Sequence, residues 1–233
     1  MIKRAKRQYQ NQYPSVTQVL DVLRKIGLEM WFKNNTLQFI TAESTKGKLI
    51  GTQIHEAIQS HIEDNELKVE TEYADEVTNA LKSFMLFKRE HPEIILRRSE
   101  VMLISEFYKY NGTMDALGEI DGQQIIFDWK SGTAKEKEKP DIYDEYIYQV
   151  SAYVHAYNEM FKTDINRAFI LALAKDKVAY NFREINVFEI NGSFSEVFLS
   201  ALNIWYYKND KKGERKNGIH NGDARRETTT SLV

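Results

Sequence analysis

Three residues on two neighbouring stretches of the chain have types and spacing that could do chemistry. Asp115 follows Gly112-Thr113-Met114, and Asp128 and Lys130 close the apolar run Ile125-Ile126-Phe127. Residues two apart on a strand share a face, so Asp128 and Lys130 are expected side by side, and a hairpin would carry Asp115 next to them. Two carboxylates that close repel each other unless a cation neutralises them. Hard oxygen ligands with positions left open to water suit Mg2+ or Mn2+. A lysine beside such a site would be a point charge for a phosphate or for a nucleophilic water. The same residues admit a plainer arrangement, in which Asp128 and Lys130 form a strand-end ion pair and Asp115 faces solvent.

The elements that must position these side chains can be read from hydrophobic period. Ser15 is a candidate N-cap for a first helix marked by Val19, Leu20, Leu23 and Ile26, with Gly27 as its stop. Further helical pieces are expected around Trp31 and Phe39. Ile50, Ile54, Ile58 and Ile62 mark a helix over about 47–64, and Val77, Leu81, Phe84 and Phe87 one over about 73–90, ended by His91-Pro92. The period then changes. Segments 94–107, 113–120 and 123–130 read as three strands of a meander, with turns at Asn111-Gly112 and Asp121-Gly122. A charged loop at 133–141 leads to a helix over 144–161. Two more strands are expected over 168–174 and 178–187, then a closing helix over 193–207 capped by Ser193 or Ser195. The predicted fold is α/β: a mixed β-sheet core flanked by helices on both faces, behind an N-terminal helical region.

Composition narrows the chemistry. The chain of 233 residues has 42% hydrophobic and 28% charged residues, so a single domain over 15–208 is expected, with a helical part at 15–91 and the sheet core at 92–208. Residues 1–14 read as a basic flexible lead, and 209–233 as a polar, disordered tail. With no Cys at all, no iron–sulfur cluster, thiolate zinc site or cysteine nucleophile can be built. No phosphate-loop motif is present, so no motor is expected. No apolar run reaches the roughly 18 residues of a spanning helix. No membrane partner is expected, and a cytoplasmic location in a bacterial or phage-infected cell is the expectation, a mitochondrial one the weaker alternative.

Gly112-Thr113-Met114-Asp115, then Asp128-Trp129-Lys130-Ser131-Gly132, then Gln149-x-x-x-Tyr153, preceded by His55 on a helix, resemble in this order the motifs of the PD-(D/E)xK nuclease superfamily in its RecB-like branch. The opening Tyr13-Pro14-Ser15-Val16-Thr17 is similar to small stand-alone members, including phage-type nucleases and the mitochondrial genome maintenance exonuclease group. The resemblance spans about residues 13–175. It implies a restriction-endonuclease-like fold and a Mg2+ or Mn2+ site held by His55, Asp115, Asp128 and the backbone carbonyl of Trp129. Lys130 would then position or activate the attacking water. Gln149 and Tyr153, four apart on a helix, would brace the Lys130 region or contact the strand, and Glu100 is a further candidate for the site. His61, on a similar helix edge, has no motif.

The function so implied is that of a metal-dependent DNA exonuclease acting on single strands or free or frayed ends, in DNA replication, recombination, repair or phage DNA metabolism, with replication or recombination proteins as further partners. The alternatives are a structure-specific flap endonuclease using the same site, and a DNA-binding accessory protein without turnover. Residues 15–207 carry 21 basic and 30 acidic residues, which disfavours broad wrapping of duplex DNA and suits a narrow passage for one strand. Trp31, Phe32 and Phe39 could stack bases along it. The basic residues at the two ends would supply salt-sensitive affinity.

Overall fold

The computed structural model describes residues 13–23, 26–63, 65 and 72–217. Most of the basic lead, and residues 218–233 of the tail, lie outside the described residues. Five strands form one sheet in the order β1 (Ile95–Ser105), β2 (Tyr110–Ile120), β3 (Gln123–Gly132), β4 (Ala168–Ala174) and β5 (Tyr180–Ile185). All neighbours are antiparallel except β3 and β4. A parallel pair needs a crossover, and helix α5 (Asp144–Phe161) supplies it. Strand β4, Ala-Phe-Ile-Leu-Ala-Leu-Ala, is buried at every position because helices cover both of its faces. Among the described residues no helix is long and apolar enough to cross a membrane.

Each face of the sheet has its own core. On one, α1 (Val16–Leu20), α5, α6 (Val187–Gly192), a π-helical turn (Ser193–Phe198) and α7 (Leu199–Asn217) bury Val16, Val150, Tyr153, Ile190 and Phe198 against Met114 and Ile126. On the other, α3 (Leu37–Ile62) and α4 (Ala74–Glu90) bury Ile50, Ile54, Ile58, Phe84 and Phe87 against Phe127, Trp129 and Leu171. The predicted isoleucine stripe is thus the face by which α3 docks. Upstream of Ile50, α3 projects past the core with no buried residue, and it follows α2 (Ile26–Lys33).

Several expected boundaries differ. The first helix is a single turn with the Ser15–Gln18 capping box, and Gly27 lies within α2 rather than ending a helix. Helix α3 begins at a Thr36 cap, ten residues before the expected start, because no buried stripe marks its first turns. Asn111-Gly112 is not a turn but part of β2; the chain reverses at 106–109, with Lys109 left-handed at φ 64. Asp121-Gly122 does make the tight hairpin turn, both residues having positive φ. The closing helix starts at Asn186, whose side chain forms a capping box with Glu189, so neither Ser193 nor Ser195 is the cap. Its last segment runs as helix to Asn217, beyond the expected end at Tyr207.

Candidate active site

The site begins where β2 and β3 part. Their pairing runs from Ile120 and Gln123 to Ala116 and Phe127 and then stops. Just beyond, the Trp129 N–H donates to Asp115 Oδ2 at 2.8 Å, so a side-chain carboxylate takes the place of the missing backbone acceptor. In an extended strand the N–H and C=O of one residue point to the same edge, which turns the Trp129 carbonyl towards Asp115 as well. On the other side of β2, the register between β1 and β2 sets Glu100 across from Asp115. Glu100 is left-handed, at φ 50, a backbone conformation costing about 1 kcal/mol or more in a residue with a side chain. Met114 packs into one core and Ala116, two residues on, into the other, so the strand's alternation slips at Asp115 itself. The kink and the slip together aim two acids at one place.

His55 reaches that place from α3, whose buried Ile54 and Ile58 fix the helix on the sheet. Its Nδ1 lies 3.1 Å from Asp115 Oδ1 and its ring is 6.1 Å from that of Trp129. One ligand atom each from His55, Glu100 and Asp115 lie within 4.8 Å of one another. Burial works to lower the His55 pKa, but the hydrogen bond and charge of Asp115 outweigh it and the pKa is raised. His61, by contrast, sits edge-on to Phe84 and 3.5 Å from Lys88 Nζ, between α3 and α4.

Asp128 and Lys130 share the α5 face of β3, while Trp129 between them packs against Phe84 on the other. Lys130 Nζ lies 2.7 Å from Asp128 Oδ2, a charge-assisted contact within a buried pair. The expected strand-end ion pair is therefore present, but Asp115, 6% exposed, does not face solvent. Burial lifts the Asp128 pKa to about 7, with Lys130 opposing and Asp115 adding to the rise. Burial also works against the Lys130 ammonium, but Asp128 and Asp115 more than compensate and hold its proton.

Gln149 and Tyr153 do share a face of α5, and Gln149 Nε2 donates to the Tyr153 hydroxyl at 2.7 Å. Burial first, then the charge of Asp128, drives the Tyr153 pKa well up. Gly112 makes room for this ring: a Cβ there would lie 2.6 Å from Tyr153 Cε1. A cavity of about 460 Å3 opens beside Tyr153, lined by Ser15, Thr17, Gln18, Asn111 and Thr113 among others. Sequence reasoning missed Tyr146, over whose ring Lys130 Nζ sits at 5.6 Å. Its position, three residues before Gln149 on the same helix, was the available signal.

Neither a protein-family model nor a curated protein matches the chain. Solved structures similar to it include a candidate exonuclease from Eubacterium rectale, at 16% identity and TM-score 0.46, with 97% of this chain and 95% of that one covered. A phage related exonuclease from Haemophilus somnus 129PT is similar at 13% identity and TM-score 0.39, over 70% and 82%. An alkaline exonuclease from Laribacter hongkongensis is similar at 14% identity and TM-score 0.37, over 88% and 94%.

Proposed function

We propose that this chain is a divalent-metal-dependent nuclease that hydrolyses phosphodiester bonds of DNA. The observation that carries the reading is the convergence of His55, Glu100 and Asp115 within 4.8 Å of one another, at a fork in the sheet flanked by Asp128 and Lys130. The donor set fits a hard cation. Two acids and an imidazole converge, Asp128 adds a buried carboxylate beside them, and the Trp129 carbonyl faces the same edge. Carboxylate, carbonyl and water oxygens suit Mg2+ or Mn2+. When bound, such an ion supplies Lewis-acid polarisation of a phosphoryl oxygen and a bound water of lowered pKa.

The residues of the chain do the rest. Asp115, with one oxygen committed to the Trp129 N–H, keeps the other in a fixed direction. His55 must give up its proton to serve as a ligand, so occupancy rises with pH. Lys130, held as an ammonium, orients the attacking water and stabilises negative charge building on the phosphate in the transition state. Gln149 and Tyr153, bonded to each other, brace the α5 side of the sheet at Gly112 of β2, and Lys130 stays paired with Asp128.

The substrate is DNA, taken as a single strand or a frayed end. An acidic body is a poor wrap for duplex, and Phe32 and Phe39 are about half exposed on α2 and on the projecting part of α3, where bases could stack. The test is incubation of end-labelled linear and circular single-stranded DNA of one sequence with Mg2+, Mn2+ or EDTA. Metal-dependent degradation of the linear form with the circle spared is expected. Full activity in EDTA would overturn the metal site, and equal rates on both forms would make the enzyme an endonuclease.

A further inference from the structure

Tyr143 is the residue immediately before α5, at the N-cap position, yet its side chain makes no capping hydrogen bond. Ser, Thr, Asp or Asn is the residue type that secures a helix start, so helix formation does not account for a tyrosine here. Nor does core packing, since Tyr143 is 53% exposed. Its ring is instead edge-on to that of Tyr146, with centroids 5.5 Å apart, and Tyr146 is the ring over which Lys130 Nζ sits at 5.6 Å. An exposed aromatic surface is thus continuous, through one half-buried tyrosine, with the lysine beside the two acids.

The segment before Tyr143 is held in place. Asp176 accepts hydrogen bonds from the Ala134 and Lys135 amides at 2.9 and 2.8 Å, and Lys177 Nζ donates to the Lys135 and Lys137 carbonyls. Pro140 is buried against Gly132, and its carbonyl accepts from Asn181 Nδ2 at 3.0 Å. A ring mounted on a pinned segment loses little further freedom when it is covered, which favours its use as a contact surface.

We infer that Tyr143 is a base-stacking platform that positions the nucleotide next to the scissile phosphate, with Tyr146 as its support and as the link to Lys130. The inference rests on the nuclease reading and adds a residue to it. A phosphate drawn to Lys130 leaves its neighbouring base within reach of the Tyr143 ring, and stacking holds any base without reading its identity. Tyr143 is a positioning residue: it touches the substrate away from the reacting atoms and acts through placement.

The experiment has a cleavage arm and a binding arm. In the first, Tyr143→Ala and Tyr143→Phe are compared with the wild-type chain on single-stranded DNA, with and without one abasic nucleotide beside the cleaved bond. Tyr143→Ala should raise KM about tenfold with kcat held, a factor within the range for one stacked base. Tyr143→Phe should behave as wild type. The abasic nucleotide should cost the wild type a similar factor and cost Tyr143→Ala nothing. In the second arm, an oligonucleotide carrying 2-aminopurine is bound in Ca2+, and its fluorescence should be quenched by wild type and Tyr143→Phe but not by Tyr143→Ala. An unchanged KM in Tyr143→Ala, or equal sensitivity of both chains to the abasic nucleotide, overturns the platform. Quenching that depends on Tyr143 in a protein that hydrolyses nothing with Mg2+ or Mn2+ would instead sustain the platform and overturn the nuclease.

Discussion

Asp115 has two tasks that substitution can separate. It accepts the Trp129 N–H, and it belongs to the group with His55 and Glu100. Asp115→Asn keeps an acceptor oxygen for the amide and loses the charge, whereas Asp115→Ala leaves a buried N–H unpaired, at a cost of about 1–3 kcal/mol. Both should abolish cleavage, and only Asp115→Ala should show the corresponding loss of stability in denaturant melts. The acids also make the metal-free protein sensitive to pH in an unusual direction. Burial raises the Asp128 pKa in the folded chain above that of an ordinary aspartate in the unfolded chain, which lies at about 4. The folded state thus binds more protons across the window between the two, and stability falls as pH rises through it. His55, also raised, acts in the same direction as pH passes its folded pKa. A cation replaces those protons, so the rise in Tm on adding Mn2+ should be larger at about pH 8 than at about pH 5. Equal rises at both would show that neither group meets the ion. That Asp128 and Lys130 share a face was legible from strand alternation alone. The place of Glu100 in the group was only suggested, because its left-handed backbone has no sequence signal in a glutamate.

At the scale of elements, motif and packing are entangled at Gly112. In the sequence, Asn111-Gly112 has the form of a hairpin turn, yet the glycine is inside β2 because the Tyr153 ring needs the space a Cβ would fill. Gly112→Ala should therefore cost about 1–3 kcal/mol, as over-packing does. Tyr153→Leu in the same chain should recover part of that loss, whereas Tyr153→Phe, which keeps the ring, should not. Additive effects in both double variants would dissociate the two residues. The real turn at 106–109 escaped notice because Glu106-Phe107-Tyr108-Lys109 contains none of the usual turn residues. It is held by Glu159, which accepts from Ser105 Oγ and the Phe107 amide, a contact 52 residues away that local sequence cannot announce. The start of α6 was legible in principle, since Asn186 and Glu189 have capping-box spacing. Helix α5 was read to the residue because its apolar face is long and acids fill its first turn.

For the whole molecule, the division into two cores sets what can vary without loss of fold. The sheet is clamped between Ile50, Ile54 and Ile58 on one side and Val150, Val154 and Phe198 on the other, while the first turns of α3 contribute no buried residue. Replacing Phe32 and Phe39 together by Ser removes their ring contacts with Trp31 and should cost about 1–2 kcal/mol without disturbing either core. If a strand passes there, single-stranded DNA affinity should fall about fivefold or more. Unchanged affinity would remove these rings from the DNA path. The sheet itself contains one amide that differs from its neighbours. Most β-strand amide protons are kept from solvent by the backbone of the next strand and exchange only when the sheet opens. The Trp129 amide is held by the Asp115 carboxylate, so its exchange with deuterium should follow the protonation and occupancy of the fork rather than global unfolding. It should slow when Mn2+ binds and quicken in Asp115→Ala while the β3 amides nearer Gln123 keep their rates. That single hydrogen would report the state of the site without any substrate being turned over.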